Sequence, residues 1–172
     1  MKIPLSLQEK LQELQGDKDQ AIADALFQTD IAIDFEIGAV VLTRLNVADN
    51  MIDRVALSRT PPAVGAVRAS TKQFESIRIP ADAKENALAR CIAGGKSEIV
   101  TDWYELFTPA LSAQEARDNQ AGAGVMCSVV NSYAGKESSG ALIFSLLCGA
   151  EEVGSEHLAV FNEFANLVGE IS

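Results

Sequence analysis

In this 172-residue chain the side chains best suited to chemistry are three cysteines, a single histidine and a tight aromatic group. Cys91, Cys127 and Cys148 are widely spaced and form no CxxC pair, and His157 is the only imidazole. That set is too small for a structural zinc site, so no metal is expected. A reactive thiol needs exposure and a nearby cation to lower its pKa. Cys91 instead shares an apolar helical face with Leu88 and Ile92, and Cys127 alternates with Val125 and Val129, so these thiols read as small buried hydrophobes. No catalytic set emerges, and the chain reads as a non-enzyme. Trp103, Tyr104 and Phe107 offer a different chemistry. Aromatic walls with a few polar atoms are the usual lining of a small-molecule pocket, and Asp102 beside them has the charge to orient a ligand amine. The competing reading is that the aromatic group simply plugs one face as a second small core.

The elements that must position these groups are legible from periodicity. Ser6 to Glu9 has the form of a capping box, followed by Leu7, Leu11 and Leu14 at helical spacing. Gly16 breaks the pattern, and Asp17 to Gln20 repeats the capping signal ahead of Ile22 and Leu26. From Asp34 the period becomes two. Phe35, Ile37, Ala39, Val41, Thr43 and Leu45 mark one strand face and Gly38, Val40 and Leu42 the other. Asn46 to Asn50 is a turn, and Met51 to Ser58 the returning strand. Val125 to Val130 and Gly140 to Leu147 repeat the signature. Strands apolar on both faces belong in a sheet covered on both sides.

The covering layers follow. A terminal helix capped by Ser155 carries Leu158, Phe161, Phe164, Leu167, Val168 and Ile171 at three- and four-residue steps. The other face is expected to hold a short strand at Phe74, Ile77 and Ile79 and a helix capped by Asp82 to Glu85 that ends at Gly94-Gly95. A strand at Ile99 and Val100, the aromatic group and a polar helix from Ser112 complete it. The expected fold is α+β (mixed): an antiparallel central sheet of about five or six strands, with N- and C-terminal helices on one face. Short helices and loops form a pocket on the other face. Residues 1–16 read as an N-terminal helix suited to dimerisation, and 17–172 as a single domain.

Composition narrows the partners. The formal net charge is −10, from 14 Lys+Arg against 24 Asp+Glu. Arg54, Arg59, Arg68 and Arg78 are scattered rather than striped, which speaks against nucleic acid or an anionic membrane surface as a partner. No apolar run approaches the roughly 20 residues of a membrane span. The start, Met1-Lys2-Ile3-Pro4, leads directly into polar sequence, and a cytoplasmic location is expected.

The order of elements resembles the GAF domain family over roughly residues 18 to 172. Ala87 to Lys96 followed by Ser97 to Asp102 is similar to that family's small helix, glycine turn and short strand ending in an acid. Gly124 to Val130, a polar turn and Ser139 to Ser145 resemble its paired late strands. The resemblance implies a sensory domain that binds cyclic nucleotides, bilins, amino acids or other small molecules, or one that mainly dimerises, and that is coupled to a signalling output domain or partner protein. Leu146 to Ala150 lacks the Asn-Lys pair of cyclic-nucleotide binders, which argues against cyclic GMP. Cys91 is followed by Ile92 rather than histidine, which argues against a covalent bilin. Cys91, Cys127 and Cys148 do not match the grouping of GAF-type free methionine sulfoxide reductases.

The candidate pocket comprises Phe74, Ile77, Ile79, Cys91, Asp102, Trp103, Tyr104, Phe107, Met126 and Ser128. The candidate homodimer surface comprises Leu7, Leu11, Leu14, Phe161, Phe164, Val168 and Ile171, a stripe that reads as too wide for the sheet alone to cover. The leading expectation is a regulatory domain binding an unidentified small molecule and acting through helix rearrangement in a homodimer. A dimerisation module with a vestigial pocket and a thiol-based reductase or redox sensor are the alternatives.

Overall fold

Strand β1 (Ile37–Asn46) runs through the middle of the molecule because its residues from Ile37 to Thr43 are buried on both faces. It returns through a turn as β2 (Met51–Leu57), which pairs in turn with the short β3 (Arg78–Pro80). On its other side β1 pairs with β6 (Ser139–Leu146), then β5 (Cys127–Ala134) and β4 (Glu98–Val100). The result is one antiparallel six-stranded sheet in the order β3-β2-β1-β6-β5-β4. The computed structural model describes residues 3–14 and 17–172. Gly16, the expected break between the first helices, lies outside the described residues.

Two apolar layers sandwich the sheet, as the doubly apolar strands require. One is built by α1 (Leu5–Gln12), α2 (Lys18–Asp24), α3 (Ile31–Asp34) and the long α8 (Ser155–Ile171), packed on Val40, Leu42, Val129, Leu142 and Phe144. Phe144 stacks on Phe161 at 4.2 Å between ring centroids and meets Phe164 edge-on. The other layer holds α4 (Pro61–Ala69), α5 (Ala87–Gly94), α6 (Tyr104–Phe107) and α7 (Ala113–Ala123) over Val41, Ile52, Val130, Ala141 and Ile143. Each layer buries enough aliphatic and aromatic surface to act as a core of its own.

Two β-bulges set which side chains face which layer. Between Ile37 and Ala39 the pairing with β6 shifts, and Ile37 joins the α8 layer rather than the Val41 face expected from strict alternation. Leu42 pairs with Ala56 but Thr43 pairs with Arg54, so Val55 is the extra residue on β2. Val55 and Ala56 therefore both turn toward the α8 layer, while Arg54 and Leu57 stay on the opposite side.

Local signals worked unevenly. Asp17 caps α2 through Gln20 N, and Ser112 with Glu115 forms a full capping box on α7. Gly95 ends α5 in the left-handed region at φ 71°. Ser6 lies inside α1 behind Pro4, so it caps nothing. Ser155 is the first residue of α8, where His157 Nδ1 accepts from Gly154 N at 3.2 Å. The cap of α5 is Asn86, not Asp82, and Phe74 belongs to a 3-10 turn ahead of β3. Helix α4 was not read from the sequence at all, although Thr60-Pro61-Pro62 is a proline-led helix start.

Candidate functional site

On the α4–α7 side a cavity of about 280 Å³ lies between the sheet and the helices. Its floor is Val41, Arg54 and Leu57, which the Val55 bulge keeps on one face. Phe74, Trp103 and Phe107 form an aromatic wall, Ala66 and Val67 of α4 with Asn119 of α7 form the roof, and Ser70 to Gln73 form the rim.

Each wall is held by identifiable bonds. The Trp103 backbone N–H donates to Gln120 Oε1 at 3.0 Å, and Gln120 Nε2 donates to the Thr101 carbonyl at 3.0 Å, which fastens the aromatic turn to α7. The Trp103 indole N–H donates to Ser128 Oγ at 3.1 Å, and Ser128 in turn pairs with Ser145 Oγ at 2.8 Å. Phe107 meets Trp103 edge-on with centroids 5.7 Å apart. Below them Asn86, fully buried, accepts from Ala89 N and donates to the carbonyls of Leu106 and Thr108, both at 2.8 Å. One amide thus caps α5 and anchors α6, the helix that carries Phe107.

Arg54 is the charged group of the floor. Its Nε and Nη2 donate to the Phe74 carbonyl at 3.2 and 3.0 Å. Its guanidinium lies 4.1 Å from the Phe74 ring centroid and 5.1 Å from that of Phe107. Among the described residues no carboxylate lies within salt-bridge distance of it. Removal from water pushes its pKa down to about 9, with exposed Glu75 pulling weakly the other way, and it remains a cation at neutral pH. The stacking rings and the carbonyl take the place of a counter-ion. Lys72 on the rim is already engaged, with Glu115 at 3.5 Å and the Ala110 carbonyl at 2.7 Å. Asn119 is buried, and among the described residues its side chain makes no hydrogen bond.

Of the ten pocket residues named from sequence, Phe74, Trp103 and Phe107 line the cavity. Ile77, Ile79 and Cys91 are instead packed into the surrounding core. Ser128 lies behind the wall as the acceptor for Trp103. Asp102 accepts from Tyr104 N at 2.9 Å and so starts α6, while Tyr104 and Met126 are exposed on the surface. Arg54, Asn119 and the α4 residues were missed.

The residues named for a dimer are mostly consumed by the chain's own core. Leu7, Leu11, Phe161, Phe164 and Val168 are all less than 5% exposed, and Leu14 and Ile171 are half-buried against them. The stripe on α8 is covered because α1 lies alongside it and shares the load with the sheet, as the Ile3 N to Glu163 Oε1 bond at 3.2 Å records.

The three cysteines are free and buried. Cys91 points to the Val130 carbonyl at 3.7 Å, and Cys127 to the Cys148 carbonyl at 3.3 Å on the opposite side of the sheet. Burial pushes all three thiols up, Cys127 to about 11. Cys148 lies near Glu36 and Glu152, both exposed. His157 packs edge-on against Phe35 at 4.9 Å.

No family model matches this sequence, and no curated relative matches it. Solved structures do match its shape. The GAF domain of NLH2 from A. aeolicus, in an inactive state, superposes with a TM-score of 0.63 at 7% identity, covering 96% of this chain and 90% of that one. The fold is the GAF fold. Residues 122 to 287 of a methyl-accepting chemotaxis protein superpose with a TM-score of 0.61 at 12% identity, covering 95% of this chain and 92% of that one. Free methionine-R-sulfoxide reductase from Neisseria meningitidis, in complex with its substrate, gives 0.61 at 12% identity, covering 96% of this chain and 83% of that one. The GAF fold therefore carries both sensory domains and an enzyme, and the fold alone does not choose between them. Among the described residues, no helix is long and apolar enough to cross a membrane.

Proposed function

We propose that this chain is a regulatory domain that binds a small molecule in the Trp103 cavity and reports occupancy by moving helices. The cavity carries the reading: about 280 Å³, walled by Phe74, Trp103 and Phe107 and roofed by α4 and α7. Concave, largely apolar sites with a few placed polar groups are where small ligands bind.

A route for the signal starts at the roof. Helix α4 follows directly on the junction Ser58-Arg59-Thr60, which is tied to strand β1 and to α2 of the opposite layer. Ser58 Oγ accepts from Val40 N at 2.9 Å and Thr60 Oγ1 donates to the Gly38 carbonyl at 2.7 Å. Arg59 donates from its backbone N and Nε to Asp24 of α2, both at 2.8 Å. A ligand that favours one seating of α4 would bias α2 on the far side of the sheet, provided its affinity differs between the two seatings. The output is proposed to be a partner protein or a further signalling domain in the cytoplasm. A homodimer, if formed, uses surfaces other than the buried leucine and phenylalanine stripe.

Trp103 is the only tryptophan, so its emission reports on the cavity directly. Screening metabolites by thermal shift should find compounds that raise the melting temperature and also change Trp103 emission. If every compound that stabilises the protein leaves Trp103 unaffected, or none stabilises it, the reading is wrong.

The resemblance to a methionine-R-sulfoxide reductase favours a thiol reductase as the second reading. It needs an accessible thiolate, whereas Cys91, Cys127 and Cys148 are buried, none lines the cavity, and their pKa values are raised. Rapid alkylation of a native thiol together with turnover of free methionine-R-sulfoxide would restore it.

A further inference from the structure

We infer that the cavity takes a small organic acid, its single carboxylate on Arg54 and its apolar or aromatic body among Phe74, Trp103 and Phe107. The inference rests on reading the cavity as a ligand site and adds the chemical class of the ligand.

Arg54 carries a desolvation cost that an ion-paired arginine would not. Placing a guanidinium against two phenyl rings, with exposed Glu75 acting only weakly and no carboxylate within salt-bridge distance among the described residues, sacrifices hydration that an ion pair would offset. Elsewhere in this acidic chain arginines find acids readily: Arg44 with Asp19, Arg78 with Asp49 and Asp53, and Arg90 with Glu98. Arg54 does not, although it lines a cavity. Two of its five N–H donors are spent on the Phe74 carbonyl. The remaining N–H groups include both of Nη1, enough to receive a carboxylate. The rings that flank the cation also fix its plane, so the donors are set before the ligand arrives.

Charge and size limit the acid further. Lys72 is neutralised by Glu115, which leaves one uncompensated positive charge in the site. One charge matches a monoanion better than a phosphate dianion. A cavity of roughly 150 Å³ holds benzene. By that scale about 280 Å³ accommodates a body of roughly ten non-hydrogen atoms. Asn119, buried at the roof with its amide unused, supplies a second polar contact for a hydroxyl, carbonyl or amine on that body.

Matched probes test this with Trp103 emission and binding calorimetry as readouts. Phenylacetate, 3-phenylpropionate and hexanoate would be compared with their primary amides and with inorganic phosphate. At least one acid should bind about tenfold or more tighter than its amide, and phosphate should bind no better than the amides. In Arg54→Gln the acid should lose that advantage while the amide is little changed, and Arg54→Lys should retain part of it. Should Arg54→Gln fail to fold, the acid–amide comparison in the native protein and in Arg54→Lys decides. Amides that bind and shift Trp103 as strongly as acids would overturn the organic-acid inference and leave the ligand site standing. Phosphate binding as tight as the best acid would also overturn it. No response from Trp103 to any acid or amide would remove the inference together with the ligand site beneath it.

Discussion

A Cβ built on Gly65 would lie 2.1 Å from the carbonyl oxygen of Gly122, and one on Gly122 would lie 2.6 Å from that of Gly65. At this crossing α4 and α7 touch backbone to backbone. The two helices that roof the cavity therefore meet with only the Ala69 Cβ beside the two backbones, and their separation is set by the absence of two methyl groups.

Replacing either glycine by alanine must push the helices apart. Gly65→Ala and Gly122→Ala should each cost about 1–3 kcal/mol, the range for overpacking a tight contact, despite alanine's better helix propensity. Urea denaturation should record the loss. Because Val67 and Asn119 ride on these helices, Trp103 emission in the native state should shift as well.

Asn86 should be a costly residue to lose. Alanine there removes the α5 cap and strands the carbonyls of Leu106 and Thr108 in a fully buried setting. A loss of about 2–4 kcal/mol is expected. Asn86→Ser can keep the cap but not both carbonyl bonds, so its stability should fall between the two. If alanine and serine prove equal in chemical denaturation, the cap contributes nothing measurable.

Alkaline pH should withdraw the stability that buried, protonated Cys127 and Tyr133 contribute. Desolvation raises Cys127 to about 11 and Tyr133 to about 12. In the unfolded chain the thiol ionises near 8.5 and the phenol near 10. Between those values and the folded ones, the unfolded state has released protons that the folded state retains. The contribution of these two groups is therefore complete below about pH 8.5 and is lost as pH rises toward 11 and beyond, while Arg54, held down at about 9, titrates in the opposite sense above that pH. From pH 7 to 11 the melting temperature of the native protein should fall relative to that of Cys127→Ala, which lacks the thiol but keeps Arg54.

The link across the sheet can be cut at Asp24. Asp24→Ala removes the acceptor for the backbone and guanidinium of Arg59 and for Gln20 Nε2. A loss of about 1.5–3 kcal/mol fits bonds to a charged acceptor. Hydrogen exchange should quicken at the Arg59 amide while the Trp103 indole, bonded on the far side to Ser128, stays protected. Equal loosening at both places would mean that Asp24 supports the whole fold rather than this junction.

How far the sequence revealed these features depended on the range of the signal. The doubly apolar runs through Val40 and Leu142 correctly implied a sheet covered on both sides, because burial leaves its mark residue by residue. Phe74, Trp103 and Phe107 were legible as a wall because bulky aromatics near a turn have few other places to go. Arg54 was not. In a strand of alternating residues it looked like one more scattered surface cation, and only the pairing of β2 with β1 shows which way it faces. The leucine stripe of α1 and the phenylalanines of α8 misled in the opposite direction. Each looked too wide alone, and only tertiary packing shows that they cover one another.

Val55 gives strand β2 a property that substitution alone would not provide. It is the one residue by which β2 exceeds its partner at the bulge, and it keeps Arg54 on the same side as Leu57. Drawing Val55 into a regular ladder would slide the first half of β2 by one place and turn Arg54 into the apolar layer beneath α8, whereas deleting Val55 would leave Arg54 opposite Thr43 on the cavity side. Whether this chain presents a cation to its cavity is thus encoded in one unpaired residue of a ladder, and a one-place slip in pairing would erase it with every arginine still present.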